Sequence, residues 1–293
     1  NLETIKGDIR DNELLDNIFI ESINKNKNID TVIHLAGLKS VSDSLVNPLE
    51  YWDVNVLGTM NLLRTMKKYR CFSLVFSSSA TIYGVSDFLP IAEDHRISPM
   101  NPYGKTKVAI ENLLSDLYES DKNNWKICSL RYFNPVGAHP SSMIGENPIG
   151  KPNNLFPFLT QVAIGRQNIL NVFGDDWDTE DGSGVRDYIH VIDLAEGHLA
   201  SIDYLNSKDS CLEFINLGSG KGYSVFQIIR QFELSTGCNI PFKIKKRRDG
   251  DVAKCYADIS KAKRLLAWSP KRTLEQICLD GWNWQRKNPN GYI

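Results

Sequence analysis

The sequence predicts a doubly wound α/β fold built on a parallel, Rossmann-type sheet. Three apolar, β-branched stretches are short and continuous: "TVIHLAG" (31–37), "CFSLVFSSS" (71–79) and "WKICSLRYFN" (125–134). Such stretches are typical of strands that are covered on both faces. Segments with apolar residues at helical spacing separate them, as in folds where helices connect parallel strands.

The helices and the first strand follow from local patterns. Apolar residues at intervals of three and four predict helices over 11–27, over 47–69, from 101 onward, and near 191–206, 224–236 and 273–287. In the second of these helices, Asn47 is the expected N-cap and Pro48 takes the first helical position. The segment "LETI" (2–5) is expected to be a short strand.

The pattern changes near residue 133. Beyond it the chain has loops rich in Gly, Pro and Asn, with shorter strands between its helices. We therefore predict two domains, one doubly wound over 1–133 and a second, smaller α/β domain over 134–293.

Composition limits the functions that are open to this chain. Hydrophobic residues make up 42% and charged residues 24%, as in globular proteins, and the net charge of −1 gives no general attraction to nucleic acid or to an anionic membrane. No apolar run reaches the ~18 residues that span a bilayer. The six cysteines form no Cys-x-x-Cys pair, which predicts reduced thiols of a cytoplasmic protein, and the histidines are dispersed, so we expect no metal site.

The pattern Tyr-x-x-x-Lys occurs three times, at Tyr103–Lys107, Tyr118–Lys122 and Tyr204–Lys208. The spacing alone does not distinguish a helix surface from a proton-transfer pair. Ligands of open parallel sheets bind beyond the carboxyl ends of the strands. Only Tyr103 begins a helix at that edge, namely the helix that follows the strand ending in "SSS" (77–79). The sequence therefore favours the first pair as the functional one.

The chemistry of this pair fits alcohol oxidation. Residues four apart share one face of a helix, so Lys107 approaches the Tyr103 ring. Free tyrosine has a pKa near ~10, and a neighbouring ammonium is expected to lower it. Ser79, at the strand end, can share the proton of a substrate hydroxyl. Serine, tyrosine and lysine beside a hydride acceptor suffice for the reaction without a metal.

This constellation resembles the extended short-chain dehydrogenase/reductase family, and within it the UDP-glucose 4-epimerases. The resemblance covers essentially the whole chain, and the similar segments follow in family order: "GDIRD", "DTVIHLAGLKSV", "NPLEYWDVNVLGT", "FSSSATIYG", "NPYGKTK", "LRYFNPVGAHPS", "TEDGSGVRDYIHVIDLAEGH" and "INLGSGKGYSV". It implies oxidation of a UDP-hexose at carbon 4 with bound NAD, rotation of the 4-keto sugar, and reduction of its opposite face.

The resemblance also implies the roles of individual residues. Tyr103 is the base, Lys107 anchors the nicotinamide ribose and tunes the tyrosine, and Ser79 contacts the 4-hydroxyl group. The implied cofactor contacts, mainly in the partial NAD-binding domain 1–133, are Asp8, Ile9, Leu35, Ala36, Gly37, Lys39, Asn55, Ser77, Tyr103, Lys107 and Phe133. The implied UDP-sugar contacts, mainly in 134–293, are Ser79, Tyr103, Asn134, Asn154, Leu155, Val172, Phe173, Arg186, Arg248, Asp251 and Cys255. The full-length protein is expected to be a homodimer.

Several segments have a second interpretation. "KKRR" (245–248) could be a nucleic-acid patch or a solvated strand end, although the near-neutral chain and the following "DGD" favour Arg248, with Arg186, as a clamp on the UDP diphosphate. His34 and His190 lie in apolar strands and are expected to be hydrogen-bonded core residues. Asn153 and Asn154 could cap the helix that starts at Leu155, and both roles could coexist.

Rival functions stay open at this point. The 4,6-dehydratases of the family carry an Asp-Glu pair after a threonine at the serine strand, whereas this chain reads Ser-Ala-Thr (79–81), which speaks against dehydration. Another NAD-dependent sugar-nucleotide oxidoreductase is not excluded by the motifs. The chain could also be an inactive, truncated UDP-sugar-binding fragment.

Two finer expectations follow from the resemblance. Cys255 aligns with the wall beside the 2-substituent of the sugar, where a small residue leaves room for an N-acetyl group, so UDP-GlcNAc and UDP-GalNAc are expected substrates. The chain also starts without methionine, and the resemblance begins at the third strand of the family. About 50 residues with the glycine loop are expected to precede it, and the 293-residue chain alone is expected to bind NAD poorly, to lack activity and to aggregate.

Overall fold

The computed structural model describes residues 2–148, 150, 152, 154–248 and 250–292. The chain divides into two units, and it enters each of them more than once. Unit 1 comprises Asn1–Gly84, Arg96–Arg131 and Ser201–Ile215, and unit 2 comprises Val85–His95, Tyr132–Ala200 and Asn216–Ile293. These units are interleaved along the chain, whereas the predicted domains 1–133 and 134–293 are contiguous.

The strands of the described residues are β1 (Thr31–His34), β2 (Ser73–Ser79), β3 (Lys126–Tyr132), β4 (Asn134–Val136), β5 (Leu170–Phe173), β6 (Val185–His190), β7 (Cys211–Leu217), β8 (Gly222–Ser224), β9 (Phe242–Lys245) and β10 (Lys254–Cys255). One sheet has the order β1-β2-β3-β7, with β1 parallel to β2. A second has the order β10-β6-β4 with parallel pairs, and β8 joins β6 in antiparallel fashion. A third pairs β5 and β9 in parallel.

The α-helices are α1 (Asn12–Asn24), α2 (Val41–Val46), α3 (Pro48–Tyr51), α4 (Gly58–Lys68), α5 (Pro102–Ser120), α6 (Leu155–Ala163), α7 (Val191–Asn206), α8 (Val225–Thr236), α9 (Ser260–Leu266) and α10 (Leu274–Lys287). A π-helical stretch, Trp52–Leu57, joins α3 to α4. The predicted α/β fold with a parallel sheet is confirmed, as are the predicted helices, including the one that starts at Leu155, except that 47–69 is not one continuous α-helix. The short helices α2 and α9 were not predicted.

Two local predictions need correction. Residues 2–5 form no strand: Leu2 is 96% exposed, and β1, the edge strand of its sheet, pairs with β2 instead. A four-residue segment without a neighbouring ladder has nothing to fix it as a strand. The predicted helix over 47–69 contains the π-helical stretch. Asn47 lies at the N-cap position but makes no side-chain capping bond, and its Nδ2 donates to Asp43 Oδ1 at 3.0 Å.

Each unit has its own apolar core. In unit 1, side chains of α1, α4 and α5 cover β2 and β3, and the fully buried ones are Met66, Leu74, Phe76, Leu114, Trp125 and Ile127. Burying one such side chain contributes roughly 1.5–3 kcal/mol. In unit 2, helices α6, α8 and α10 pack around Leu159, Val172, Ile228, Phe232 and Ile277. Among the described residues, no helix has the length and apolar character that crossing a membrane requires.

Candidate active site

Helix α5 places Tyr103 in its first turn. Asn101 caps the helix by accepting a hydrogen bond from Gly104 N at 2.8 Å, and Pro102 takes the first helical position. Gly104 lets this turn approach the segment after β2, because a Cβ there would lie 3.0 Å from Thr81 O. The tyrosine is therefore held close to the end of the serine strand.

Ser79 ends strand β2 and contacts Tyr103. Its Oγ accepts hydrogen bonds from Thr81 Oγ1 at 3.0 Å and from Thr81 N at 3.3 Å, which cap the 3₁₀ turn Ala80–Ile82. The Ser79 hydroxyl is also near enough to the Tyr103 phenol to lower the pKa of that group. The two hydroxyl groups are thus close neighbours at the end of the serine strand.

The pKa of Tyr103 is raised above its usual value. Tyr103 is only 9% exposed, and burial disfavours the phenolate, while the neighbouring Ser79 hydroxyl offsets part of this effect. In the protein without a cofactor, the prediction that Lys107 lowers the pKa of Tyr103 is wrong. The Lys107 Nζ lies 5.8 Å from the centre of the Tyr103 ring, and burial is the larger effect.

Lys107 is a buried ammonium directed at the end of β2. It is 5% exposed, its Nζ donates to Ser77 O at 2.6 Å, and it lies 4.7 Å from the centre of the Phe76 ring. Burial lowers the pKa of Lys107 to about 8, and the negative charge of Glu111 counteracts part of that shift. Lys107 is therefore mostly protonated at neutral pH, yet close to its titration range.

The other two Tyr-x-x-x-Lys pairs lie in different surroundings. Lys122 is 57% exposed and forms an ion pair with Glu119 at 2.7 Å. Lys208 lies over the Tyr204 ring, and the Tyr204 hydroxyl donates to Glu213. These contacts are typical of a helix surface.

The loop after β1 passes close to Lys107. Asn55, in the π-helical stretch, holds this loop: its Oδ1 accepts from Leu38 N at 2.7 Å, and its Nδ2 donates to Leu38 O at 3.0 Å and to Thr106 Oγ1 at 3.2 Å. At Gly37 a Cβ would lie 3.0 Å from Asn55 Oδ1 and 4.0 Å from Lys107 Nζ. The glycine therefore keeps the space beside the ammonium open.

Unit 2 contains a second polar cluster. Cys255 of β10 is the register partner of Arg186 of β6. Asp251 accepts from Arg248 Nε at 3.0 Å, and its Oδ1 lies 3.7 Å from Arg186 Nη2. The Arg248 guanidinium lies 4.6 Å from the centre of the Phe173 ring. Two arginines that share one carboxylate leave a net positive charge, which suits a phosphate group.

The family assignment follows from comparison with known proteins. A family model described as GDP-mannose 4,6 dehydratase matches residues 1–280. The chain is 49% identical over 293 residues to the UDP-glucose 4-epimerase of Bacillus subtilis (strain 168), and the match covers 100% of this chain and 84% of that relative. The chain belongs to the UDP-glucose 4-epimerase family.

Solved epimerases share its fold. The UDP-glucose 4-epimerase of Bifidobacterium longum in complex with NAD+ and UDP has a TM-score of 0.93 and 46% identity, with coverage of 100% of this chain and 85% of that chain. The epimerase of Stenotrophomonas maltophila with bound NAD and formylated UDP-arabinopyranose has a TM-score of 0.92 and 46% identity, covering 97% of this chain and 83% of that chain.

Except for Phe133, the other residues that were predicted to contact the cofactor lie at several places in unit 1. Leu35, Ala36 and Lys39 are exposed in the loop after β1, while Ser77 is buried at the end of β2. Asp8 is exposed, and its hydrogen bond from Arg10 lowers the pKa of the carboxyl to about 2. A Cβ at Gly58 would lie 2.6 Å from Ile9 Cγ2, so Ile9 packs directly on α4.

The remaining positions lie in unit 2. Phe133 is buried, and Asn134 Nδ2 donates to Asp187 O at 2.8 Å. Asn154 is the exposed N-cap residue of α6 and makes no capping bond, and Leu155 follows it. Val172 has no exposed surface and belongs to the unit 2 core. Asn153 lies outside the described residues.

The structure decides between the alternative interpretations of the two histidines and of "KKRR". His34 Nε2 is hydrogen-bonded to Thr59 at 2.8 Å and His190 Nε2 to Asp280 at 3.2 Å, so both are hydrogen-bonded, buried residues as predicted. In "KKRR", Arg247 pairs with Asp176 and Arg248 with Asp251, which argues against a nucleic-acid patch. The described part of the chain contains no group of three or more His, Cys, Asp and Glu residues that could hold a metal ion.

Sequence reasoning missed a buried ion pair near Tyr103 and Lys107. Glu111 of α5 and Arg131 of β3 form it at 2.8 Å, and both are buried. Glu111 follows Lys107 by four residues, as Lys107 follows Tyr103. This repeat of polar residues on one face of a helix was the signal that could have found it.

Proposed function

We propose that the enzyme containing this chain interconverts UDP-glucose and UDP-galactose by NAD-dependent epimerisation at carbon 4. The observation that supports it most strongly is the buried cluster of Ser79, Tyr103 and Lys107 in a chain of this family. A phenol and a hydroxyl in this arrangement can move the proton of a secondary alcohol.

The cofactor-side residues fit a dinucleotide. Residues 35–37 are exposed at the end of β1, and Gly37 keeps the space beside Lys107 open. We propose that this loop, with Asp8, Ile9, Lys39, Asn55, Ser77 and Phe133, holds NAD, and that Lys107 donates to its ribose hydroxyls. When bound, NAD accepts and returns a hydride and adds positive charge near the tyrosine. Tyr103 takes up the 4-hydroxyl proton, and Ser79 hydrogen-bonds to the same oxygen.

The substrate-side residues fit the diphosphate of a UDP-sugar. Arg186 and Arg248 can each offer parallel N–H groups to phosphate oxygens. Asp251 holds both guanidinium groups in place, and Phe173 supports Arg248 through its ring. We assign Asn134, Asn154 and Leu155 to the same ligand on the resemblance of their motifs. For Val172, which is fully buried, the assignment rests on the resemblance alone.

The test separates epimerisation from its rivals. The enzyme is incubated with UDP-galactose carrying deuterium at carbon 4, and the products are followed by NMR and by absorbance of NADH. Epimerisation predicts UDP-glucose that retains deuterium at carbon 4, with no net NADH. Accumulation of NADH or of a keto sugar would instead indicate another oxidoreductase, and UDP binding without turnover would indicate a binding protein.

A finer proposal concerns the sugar. Cys255 is a partly exposed, small residue beside Arg186, and burial raises the pKa of its thiol to about 11, so it is a neutral side chain at physiological pH. We propose that it leaves room for a 2-N-acetyl group, so that UDP-GlcNAc and UDP-GalNAc are also interconverted.

We also propose that the protein is a cytoplasmic homodimer. Unit 1 exposes apolar side chains on α2, α3 and the π-helical stretch, namely Val41, Leu45, Val46, Leu49 and Trp52. Exposed apolar patches of this kind are typical of contact surfaces. The six cysteines are free thiols, which agrees with a reducing compartment. Replacing Val46 and Leu49 by glutamate is expected to halve the mass measured by light scattering; an unchanged mass would remove this patch as the contact.

A further inference from the structure

Three polar side chains follow one another on the buried face of α5. Tyr103, Lys107 and Glu111 are four residues apart, and Glu111, like Lys107, is 5% exposed. Residues at this spacing share one helix face. The catalytic pair therefore continues into a third ionisable group that the proposed reaction does not use directly.

The carboxylate of Glu111 is bonded through both of its oxygens. Its Oε1 accepts from Arg131 Nε at 3.1 Å and from Ser129 Oγ at 3.0 Å, and its Oε2 accepts from Arg131 Nη2 at 2.8 Å. A buried ion pair adds little net stability over well-packed apolar side chains, because both ions lose their hydration. Such a pair is better explained by the geometry that it imposes.

Arg131 connects Glu111 to the segment that follows Ser79. Its Nη1 donates to the Tyr83 hydroxyl at 2.9 Å. Its guanidinium lies 5.3 Å from the centre of the Tyr83 ring and 5.0 Å from that of Phe214. Tyr83 is fully buried and follows Ser79 by four residues, directly after the 3₁₀ turn Ala80–Ile82 that Ser79 caps.

We propose that the buried Glu111–Arg131 pair is a positioning element for catalysis, which through Tyr83 holds the end of β2, with Ser79, against the helix that carries Tyr103 and Lys107. The expected effect of this pair on turnover rests on the proposed function. Displacing one reacting group by an ångström can cost on the order of 100-fold in rate. A rigid link between the serine strand and the tyrosine helix is therefore functionally important.

The same geometry gives Glu111 an effect on the charge of Lys107. The titratable groups around Lys107 are Tyr103 and Glu111 on its own helix and His34 on β1, with Arg131 and Tyr83 beyond Glu111. Burial, and secondarily the charge of Lys107, lower the pKa of His34 to about 3, so His34 is neutral. Glu111 is the group that raises the pKa of Lys107 against burial. Removing its charge lowers that pKa, so Lys107 loses its proton at a lower pH.

Two variants test the link. Tyr83→Phe keeps the ring beside Arg131 and removes the hydroxyl, so kcat is expected to fall about tenfold with KM within twofold and an unchanged pH profile. Glu111→Gln is expected to move the Lys107 titration to lower pH by about one unit or more. This titration is read by NMR on protein labelled with [6-¹³C]lysine, with Lys107→Arg to assign the signal. Tyr204→Phe, which removes a tyrosine–carboxylate hydrogen bond elsewhere in unit 1, is the matched control.

The outcomes distinguish this inference from the proposed function. A Tyr83→Phe enzyme with kcat within twofold of the unaltered one, or a Glu111→Gln protein with an unmoved Lys107 titration, would overturn the inference. If Glu111→Gln does not fold, Tyr83→Phe still decides. If the unaltered enzyme does not epimerise UDP-sugars, the proposed function is wrong, and so is the proposed role of the Glu111–Arg131 pair in catalysis. A shifted Lys107 titration in Glu111→Gln would still establish that the charge of Glu111 acts on Lys107.

Discussion

In unit 1 the charged side chains near Tyr103 are buried, whereas in unit 2 the charged side chains near Phe173 are partly exposed. Lys107, Glu111 and Arg131 are each 5% exposed, and burial has shifted the pKa of Lys107 to about 8. Arg186 and Arg248 share Asp251 with side-chain exposures of 21% and 52%. Burial tunes proton affinity, while exposure leaves cations free to meet a charged ligand. The comparison predicts different kinetic signatures for the two clusters.

Removing the buried ammonium is expected to have the largest effect on turnover. Lys107→Met keeps the side-chain volume but removes the cation beside Tyr103, so kcat should fall by about 100-fold or more. Thermal stability should stay the same or rise, because an expensive buried charge is gone. Steady-state kinetics and a melting curve measure both. Lys122→Met, in an exposed pair, should change neither turnover nor thermal stability. A similar loss of turnover in Lys122→Met would mean that the buried position of Lys107 does not explain its effect.

Enlarging the residue beside Arg186 should affect one class of substrate. Cys255→Tyr fills the proposed space for the N-acetyl group, so kcat/KM for UDP-GalNAc should fall at least about 30-fold. Turnover of UDP-galactose should stay within a few-fold. Parallel assays with the two sugars give the ratio. If the unaltered enzyme never converts the N-acetyl sugar, the specificity proposal is wrong.

Changing the exposed arginine should weaken binding more than chemistry. Arg248→Lys keeps the charge but loses the paired N–H groups and the flat contact with Phe173, so KM should rise about tenfold with little change in kcat. Added salt should weaken binding in the unaltered enzyme as well. Arg247→Lys is the matched control, because Arg247 pairs with Asp176 instead. A fall in kcat alone would contradict the division between the clusters.

The smallest effect concerns pH. The pKa of Lys107 is lowered to about 8 by burial, so the cation is present below that pH and is lost above it. Turnover should therefore fall about twofold near pH 8 if the cation is required. Lys107→Arg keeps its charge throughout this range, and its profile should lack that decline. A decline that persists in Lys107→Arg would have to be assigned to another group.

The sequence predicted most of the helices and strands, and the closeness of Lys107 to Tyr103, because both follow from local patterns. Helical spacing from residue 101 onward, after the serine strand, identified the helix of Tyr103, and the structure adds Asn101 as its cap. The residues "LETI" failed because a strand needs a neighbour, which periodicity does not supply. The π-helical stretch was missed because the apolar residues of 47–69 still have helical spacing. This stretch contains Asn55, whose side chain is hydrogen-bonded to Leu38.

The electrostatics of the site could not be predicted from spacing. The spacing of Tyr103 and Lys107 suggested a lowered tyrosine pKa, but burial, which depends on packing from several elements, raises it. Glu111 and Arg131 are 20 residues apart in the chain and meet only because α5 covers β3. Such pairs require the tertiary structure.

The central claim is that Tyr103 moves the proton of the sugar hydroxyl, and one pair of variants tests it most directly. Tyr103→Phe keeps the ring and removes the ionisable oxygen, so kcat should fall at least about 100-fold while the affinity for UDP-sugar is retained. Tyr118→Phe, in the same helix, should retain nearly full turnover. Equal losses in both variants, or full turnover in Tyr103→Phe, would contradict the assignment.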